Sequence, residues 1–590
     1  MRARTGVALL AFALAFAAAA RAHAATYVVT RSDDPAPGAC DSDCSLREAV
    51  LAADAGAGGD TIELPAAHIR LGRAGTGEDA AATGDLDLTR SVVVTGAGAR
   101  STLVDAAGLD RVFDIRPGAT VLLADLAVTG GAVDGDGGGI ENLGTLTLLR
   151  TAVTANEARL STSRNGGGIA SSGTLVVTQS TIAGNRAYDG GGIELAGSVS
   201  LTDSSIAGNV AGGPSSNGRG GGIHGAVGAT VTASSSTIAD NVAFDGAGSG
   251  GGISAPAATL GNTIVADNVA HPPDQSAVLA DNCSVGTLTS RGHNLSNASD
   301  CGLTGTGDRP DADPRLGLLA DNGGPTDTEA PLLGSAAIDA GADCPNVDQR
   351  GVSRPRGGAC EIGAYELAAP GVATAPAGSV GLTSAVLAGT VDPSLRETSF
   401  RFEYGTTTGY GSLTPLQWAG TGNGATAVSA LLTGLHPGTT YHFRVVATNA
   451  DGTAEGADQS FTTLDRTKPV LSLLRVSPGI FRPAKGTTIS FRLSEDAAVT
   501  FKADRVLRGN RRRGKCIPGP RRRRLQPCTR YLPVRGSIGV NGVAGENSFH
   551  FDARLAGRQL AAGAYRLDAT PRDASGNVGK TVVAAFRIRR

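Results

Sequence analysis

The strongest concentration of charge in this sequence is a basic stretch at residues 505–530. It holds eleven arginines and lysines and no acid, which leaves a net charge of −13 on the rest of a chain whose total is −2. Clustered cations of this kind bind the phosphate, sulfate or carboxylate groups of polymers. No aromatic residue lies between the arginines, so stacking on bases, and with it specific nucleic-acid binding, is not expected.

We therefore predict a polyanion site in this stretch, with a cell-surface or extracellular polymer such as an anionic glycan or wall polymer as its partner. Its central cations are the candidate binding residues: Arg511, Arg512, Arg513, Lys515, Arg521, Arg522, Arg523 and Arg524. The alternative is a solvated and partly disordered insertion, which is the usual role of a run of like charges.

A second group of residues could support acid–base chemistry on a polymer. Hydrolases and lyases use two carboxyl groups, or a base beside metal-binding acids, placed across a groove. The candidates are Asp134, Asp136, Glu141, Glu194 and His224. They lie near glycine triplets, but the residue after each triplet and its isoleucine changes between acid, alanine, histidine and serine, so no uniform acidic face is expected.

No catalytic residue, metal ligand or cofactor is assigned from these candidates. Asp134 and Asp136, each beside glycine, would suit calcium, although Asp-Gly pairs more often mark turns. Only five aromatic residues occur between residues 25 and 366, and none is tryptophan, which disfavours a groove that stacks sugars. A non-catalytic protein is therefore preferred, and an extracellular polysaccharide lyase or hydrolase is the alternative function.

Eight cysteines indicate an oxidising compartment. Pairing each cysteine with its neighbour in sequence gives Cys40–Cys44, Cys283–Cys301, Cys344–Cys360 and Cys516–Cys528. This pairing is a prediction from proximity alone, because eight cysteines allow many connectivities. Zinc binding, the alternative, needs a cluster of Cys and His ligands, and no histidine lies beside these couples.

The N-terminal segment has the order of a secretory signal peptide. Arg2 and Arg4 precede an apolar run over residues 6–20, and Ala-His-Ala at residues 22–24 is a small-x-small cleavage site. We expect a signal peptide at residues 1–24 and a mature chain that is secreted or held at the cell surface. The apolar run is short for a membrane anchor, which is the alternative, and no later stretch is long enough to span a bilayer.

The residues that must position these sites belong largely to a repeat. Gly-Gly-Gly-Ile occurs five times, ending at Ile140, Ile169, Ile193, Ile223 and Ile253. A second motif, a small apolar run closed by asparagine, ends at Asn156, Asn185, Asn209, Asn241 and Asn268. Short runs of alternating apolar and polar residues lie between the motifs, which is the pattern of half-buried strands.

Short repeats made of strands and glycine predict a parallel β-helix, since helical repeats lack their 3.6-residue pattern here and propeller blades are longer. Each coil would stack on the last with its isoleucines inside and its asparagine at a corner, bonded to the asparagine one coil away. Residues 85–309 give about eight coils. Residues 25–84 form an N-terminal cap, in which Ser45 and Glu48 are the capping box of a short helix.

Two further domains are predicted after the repeats. Residues 369–463 alternate as strands and contain a tyrosine corner at Tyr441, whose hydroxyl should bond to upstream backbone. Residues 464–590 alternate in the same way around the basic stretch. The predicted fold class is therefore all-β: a right-handed parallel β-helix followed by two β-sandwich domains.

Several strings resemble known modules. Cys-Ser-Leu-Arg-Glu-Ala at residues 44–49 resembles the N-terminal module named for that string, and the two repeat motifs are similar to those of polymorphic outer membrane proteins. Asp-Asn-Gly-Gly-Pro-Thr and related strings within residues 310–368 resemble a choice-of-anchor segment. The two C-terminal regions resemble a fibronectin type III domain, at residues 369–463, and a bacterial Ig-like surface module, at residues 464–590.

These resemblances imply an exported β-helix protein of the cell surface or exterior, and they imply no known reaction. We therefore predict a monomeric, secreted or cell-surface adhesion or scaffold protein. Its β-helix would present a long rigid face for many weak contacts, and its sandwiches would act as spacers. The basic stretch would tether the protein to an anionic polymer.

Overall fold

The computed structural model describes residues 24–159, 164–213, 216–246, 248–272 and 278–590. The chain winds into a parallel β-helix of about eight turns, and antiparallel sheets follow from Gly371 onward. The predicted all-β fold class is confirmed. The predicted signal peptide lies outside the described residues, apart from its last position.

Equivalent strands of successive turns pair in parallel and form four columns. The first column contains Leu86–Leu88, Phe113–Ile115, Ile140–Asn142, Ile169–Ser171, Ile193–Leu195 and Ile223–Gly225. From Ile140 onward, each of these strands begins at the isoleucine that follows a glycine triplet. The second contains Thr26–Val28, Asp60–Glu63, Val92–Thr95, Thr120–Ala124, Thr145–Leu149, Thr174–Thr178, Ser198–Thr202 and Thr230–Ser234. The long strands Ile253–Gly261 and Cys283–Ser290 extend both columns.

The other two columns complete each turn. The third contains His68–Arg70, Leu103–Asp105, Ala127–Thr129, Ala152–Thr154, Thr181–Ala183, Ser205–Ala207, Thr237–Ala239 and Ile264–Ala266. The fourth contains the two-residue strands Ala132–Val133, Glu157–Ala158, Arg186–Ala187, Val210–Ala211, Val242–Ala243 and Val269–Ala270, and it ends with the antiparallel strand Leu279–Ala280.

The inward side chains of the columns form one continuous core. The isoleucines that close the glycine triplets are fully buried and pair in register: Ile140, Ile169, Ile193, Ile223 and Ile253. In the second column Leu146 and Leu148 pair with Leu175 and Val177 of the next turn, and all four are buried. Since alternate residues of a strand point to opposite faces, this register buries the apolar half of each strand.

The glycine triplets are needed for two different reasons. The first glycine has a positive φ, for example 72° at Gly166, which an L side chain rarely adopts. A Cβ on the third glycine, Gly168, would lie 2.7 Å from the carbonyl oxygen of Gly192 in the next turn and 2.9 Å from the side-chain amide of Asn185. The triplet therefore combines a left-handed turn with a close approach between the backbones of successive turns.

The predicted asparagine ladder is confirmed at the corner between the third and fourth columns. The Oδ1 atom of Asn185 accepts hydrogen bonds from the backbone N–H and the side-chain amide of Asn156, both at 3.0 Å. The same pair of bonds links Asn185 to Asn209, and it recurs through the later asparagines of the motif. Asn282, which lies outside the motif, ends the ladder below Asn268.

A second polar ladder, which sequence analysis did not predict, lies at the corner between the second and third columns. The backbone N–H of Thr151 donates to the hydroxyl of Ser180 at 3.0 Å. The N–H groups of Ser180 and Ser204 donate in the same way to Ser204 and Ser236, both at 3.3 Å. These residues are fully buried, so the ladder satisfies backbone groups that have no access to water.

A short helix, α1 (Leu46–Asp54), covers the N-terminal end of the core and begins with the predicted capping box of Ser45 and Glu48. The guanidinium of Arg47, which is 1% exposed, binds Asp34 and three backbone carbonyls between residues 81 and 85. Arg47 therefore fastens α1 to the first turn. In the part of the chain that the structure describes, no helix has the length and apolar character needed to cross a bilayer.

The segment after the β-helix, residues 302–370, contains isolated β-bridges instead of named strands and packs on the outer face of the third column. Its contacts centre on Gln349, whose amide group exchanges hydrogen bonds of 2.8 Å with the hydroxyls of Thr181 and Ser205. The four disulfides join the cysteine pairs that were predicted from proximity.

The remaining strands form two pairs of sheets that are antiparallel except where Ile480–Phe481 pairs in parallel with Val582–Ile588. The first pair contains Gly371–Gly378, Ser384–Asp392 and Thr426–Thr433 against Thr398–Gly405, Ser412–Leu413, Gln417–Gly420, Thr440–Asn449, Gly452–Glu455 and Gln459–Thr462. The hydroxyl of Tyr441 accepts a hydrogen bond from the backbone N–H of His436 at 3.0 Å, which confirms the tyrosine corner.

The second pair is built around buried phenylalanines. One sheet contains Leu471–Ser477, Thr487–Leu493 and Gly545–Phe551. The other contains Ile480–Phe481, Ala497–Arg512, Lys515–Pro518, Pro527–Pro533, Ile538–Gly542, Gly563–Arg572 and Val582–Ile588, and a two-stranded hairpin joins Arg554–Leu555 to Arg558–Gln559. Phe491, Phe501, Phe551 and Phe586 meet between the sheets.

Replacing Asn209 with alanine should destabilise the β-helix by about 3 kcal/mol, because the buried N–H and side-chain amide of Asn185 lose their shared acceptor and Asn241 loses one of its two donors. Chemical denaturation followed by circular dichroism measures the loss. The matched control is Asn217→Ala, at an exposed asparagine of the next turn. An equal effect of both substitutions would contradict a structural role for the ladder.

Candidate polyanion-binding arm

The basic stretch is the outer end of an antiparallel sheet. The strand Ala497–Arg512 pairs with Gly563–Arg572 as far as Val506 and then continues beyond it. Along this extension it pairs with Lys515–Pro518 on one edge and with Pro527–Pro533 on the other. We call residues 505–530 the arm. The arm is therefore a continuation of the sandwich sheet.

The disulfide between Cys516 and Cys528 curls the arm. The two cysteines lie on strands that flank opposite edges of the same central strand, so their Cα atoms would be about 9.5 Å apart in a flat sheet. In the structure these Cα atoms are 5.8 Å apart. The flanking strands must therefore bend towards each other around the central strand.

A buried asparagine fixes the tip of the arm. The side-chain amide of Asn510 donates to the carbonyl oxygen of Pro520 at 2.8 Å, and its Oδ1 accepts from the backbone N–H of Arg522 at 2.9 Å. Asn510 is 6% exposed, so both bonds are shielded from water. The turn that carries residues 521–524 is thereby held against the central strand.

The eight cations predicted to bind polyanions are all exposed: Arg511, Arg512, Arg513, Lys515, Arg521, Arg522, Arg523 and Arg524. Among the described residues, none of them forms an ion pair with an acid. Arg566, at the base of the arm, differs because it binds Asp504 and Asp568. The positive charge of the arm is therefore available to an outside partner.

Three of the candidates, Glu141, Glu194 and His224, fall in one row on the outer face of the first column. The register of the strands aligns Glu141 with Ala170, Glu194 and His224 in successive turns. Ala170 and His224 interrupt the row, as expected. Towards the N-terminus, however, the row continues through Asp114 and Asp87, which sequence analysis missed because they precede the glycine triplets.

Arg111, which sequence analysis also missed, lies among the N-terminal acids. Its guanidinium approaches Asp85 and Asp114 and forms a hydrogen bond with Glu141. Burial, followed by the charge of Asp110, raises the pKa of Asp85 to about 8. The acids around Arg111 are therefore an internally bonded cluster in which Asp85 favours its protonated form, and Glu141 is not one half of a free carboxyl pair.

Glu194 and His224 form a pair of their own. The Nδ1 atom of His224 lies 2.8 Å from the carboxylate of Glu194, and both side chains are more than four-fifths buried. Burial raises the pKa of Glu194. Burial lowers the pKa of His224, but the hydrogen bond and charge of Glu194 outweigh it, so that this pKa is raised. The pair can exchange a proton, but its neighbours in the row, Ala170 and Ser254, add no second carboxyl group.

The last two candidates connect successive turns. Asp134 forms an ion pair with Arg159 at 3.2 Å, and Asp136 accepts a hydrogen bond from the backbone N–H of Asn165 at 2.9 Å. Within the described ranges, one group of three acids brings its possible ligand atoms within 4.8 Å of one another: Asp465, Glu495 and Asp573. That group contains neither Asp134 nor Asp136.

Comparisons with known proteins add little to this picture. No protein-family model and no curated protein matches the chain. Among solved structures, the chain is similar to the sensor domain of the anti-sigma factor RsgI4 in Pseudobacteroides cellulosolvens, with 24% identity, coverage of 16% of this chain and 94% of that chain, and a TM-score of 0.14. It is also similar to the FN1–FN3 domains of chicken CNTN1, with 14% identity, coverage of 38% and 67%, and a TM-score of 0.17. At these values neither likeness carries an argument about function.

Replacing Asn510 with alanine should loosen the tip of the arm without unfolding the sandwich. Two buried hydrogen bonds are lost, so amide exchange across residues 519–524 should become about tenfold faster or more, while the melting temperature stays nearly unchanged. Hydrogen–deuterium exchange measures this, with the exposed Asn541→Ala as control. Unchanged exchange in the Asn510 variant would show that the amide does not hold the tip.

Proposed function

We propose that this protein is an exported surface or scaffold protein whose arm binds an anionic polymer, such as an acidic glycan or wall polymer. The observation that carries the proposal is the set of eight exposed cations on a strand extension that is closed by a disulfide and pinned by Asn510. The rest of the chain, with its net charge of −13, would act as the scaffold that displays this arm.

Electrostatics favours a polymer as the partner of the arm. Like charges held close together repel one another, so they prefer a ligand that brings several negative charges at once. Each exposed contact is weak and is screened by salt over about 8 Å at physiological ionic strength, but contacts made along one chain act together. Guanidinium groups also form paired hydrogen bonds with carboxylate, sulfate and phosphate groups. Binding should therefore be multivalent and sensitive to salt.

Export is supported by the cysteines. The structure contains four disulfides and no free cysteine among the described residues. Such bonds persist in oxidising compartments, outside the reducing cytosol. We infer that the predicted signal peptide at residues 1–24 directs the chain out of the cytosol, and that the mature chain acts there as a monomer.

A polysaccharide lyase or hydrolase is the second candidate function, and the Glu194–His224 pair is the observation that favours it. Incubation of the protein with a panel of acidic and neutral polysaccharides tests this function. Release of reducing ends or unsaturated products by the wild type, lost in Glu194→Gln, would replace the scaffold proposal with an enzymatic one.

Replacing Arg521, Arg522, Arg523 and Arg524 together with serine should weaken binding to heparin and to polygalacturonate at least tenfold, because about four contacts to the polymer are lost. The dependence of log K on log salt should also become shallower by about one for each cation removed. Fluorescence titration at several salt concentrations measures both effects.

The control removes the same charge from other exposed positions of the same sandwich: Arg475, Lys502, Arg492 and Arg558, each replaced with serine. It should retain most of the binding. Equal losses in the two variants would mean that only net charge matters and that the arm is not the site. Undiminished binding by the arm variant would also show that the arm is not the site.

A further inference from the structure

A groove of about 550 Å³ lies along the corner between the third and fourth columns of the β-helix. Its floor is a row of corner residues with φ between 54° and 63°: Ala155, Gly184, Gly208 and Asp240. Its wall is the segment of residues 315–332, in which two isolated bridges, Leu316 to Pro331 and Ala320 to Thr328, hold the two sides together. We call this segment the wall hairpin.

The wall hairpin brings a buried acid to the groove. Glu329 is 1% exposed, and neither of its carboxylate oxygens receives a hydrogen bond from a donor in the described chain. The group that lies against it is the carboxyl of Asp240, which is exposed in the groove. Two neighbouring carboxyl groups disfavour ionising together, so this pair favours keeping one proton.

The charges around this pair are all negative. Burial, followed by the charges of Asp240 and Asp267, raises the pKa of Glu329 well above its usual range. Burial also raises the pKa values of Asp240 and Asp267. Asp267 occupies the next corner position, is bonded to Asn297 and is influenced by Asp313. Among the residues that the structure describes, no arginine or lysine acts on any of the three acids. This end of the groove is therefore short of positive charge.

The rest of the groove is lined mainly by small and apolar residues. Its lining is completed by Thr154, Ala183, Ala207, Leu318 and Leu319. A Cβ atom placed on Gly184 or Gly208 would meet no other atom within 4 Å, so the floor is open. A sugar would find few hydrogen-bonding groups here. An aliphatic chain, in contrast, could cover this surface without the loss of any hydrogen bond.

We propose that this groove binds a primary alkylammonium group, with the aliphatic chain along the glycine floor and the ammonium at Asp240 and Asp267, in front of Glu329. An ammonium brings one positive charge to all three acids and brings hydrogen-bond donors to Glu329, whose oxygens have none. Binding releases the proton that Asp240 and Glu329 share, so one cation enters the site and one proton leaves for the solvent. Affinity therefore rises with pH until that proton is lost. This proposal is independent of the arm.

The test uses pentylamine as the probe and 1-pentanol as its uncharged match. Isothermal titration calorimetry at pH 7, in two buffers that differ in ionisation enthalpy, measures both affinity and proton release. The full chain should bind pentylamine at least tenfold more tightly than 1-pentanol, with a proton released on binding. Absence of pentylamine binding, or equal binding of the two probes, overturns the proposal.

Variants locate the site. Asp240→Asn, which a left-handed corner tolerates, should weaken pentylamine binding at least tenfold. Glu329→Gln, which copies the shape of the protonated acid, should abolish proton release. Gly208→Asn should weaken binding by filling the floor. The matched control is Asp311→Asn, at an exposed aspartate with a φ of 55°. Circular dichroism checks that each variant is folded, and binding by Asp240→Asn equal to that of the control overturns the proposal.

Discussion

From Asn156 onward, the β-helix depends on the hydrogen bonding of one buried amide per turn. An asparagine that is closed off from water must find partners for its oxygen and its amide group, and at this corner they come from the neighbouring turns and from the backbone of its own turn. Asn185 meets this demand through Asn156 on one side and Asn209 on the other. A turn with the wrong residue, or with the right residue displaced by one position, would leave buried polar groups unpaired in two neighbouring turns as well as in its own. The glycine triplet follows from the same constraint, because a Cβ on its third residue would collide with the ladder.

This constraint explains which features could be predicted from the sequence. The ladder, the buried isoleucines and the column register repeat along the chain, so their spacing indicates their contacts. The capping box at Ser45, the tyrosine corner at Tyr441 and the disulfides are local, since each joins residues close in sequence. Arg47 and Arg111 belong to neither class. Most of their partners are distant in sequence, and nothing in the residues around them predicts these contacts. The serine ladder was missed because short hydroxyl residues are common throughout the chain.

The arm also has one feature that could be predicted from the sequence and one that could not. Its charge is evident from composition, because eleven cations without an acid are conspicuous in any sequence. Its shape is not, because the curl depends on a central strand, Ala497–Arg512, that begins in the sandwich core, and on one asparagine placed among arginines. A run of like charges by itself favours a solvated and extended chain. The strand pairing and the disulfide overcome that repulsion, and as a result the cations are held together without being neutralised.

The two candidate binding surfaces, the groove and the arm, lie outside the regular hydrogen bonding of the β-helix repeat. Within the regular turns, each corner asparagine and each buried hydroxyl is bonded by its neighbours, so little is left for a ligand to recognise. At the groove the corner position changes from Gly184 and Gly208 to Asp240 and Asp267, and a hairpin from outside the repeat places Glu329 against the new acids. At the arm, an insertion outside the sandwich core carries eight cations that form no ion pair with an acid of the described chain. Repetition accounts for the satisfied hydrogen bonds of the regular turns, and the departures from repetition are therefore the places where we propose that other molecules supply the opposite charge.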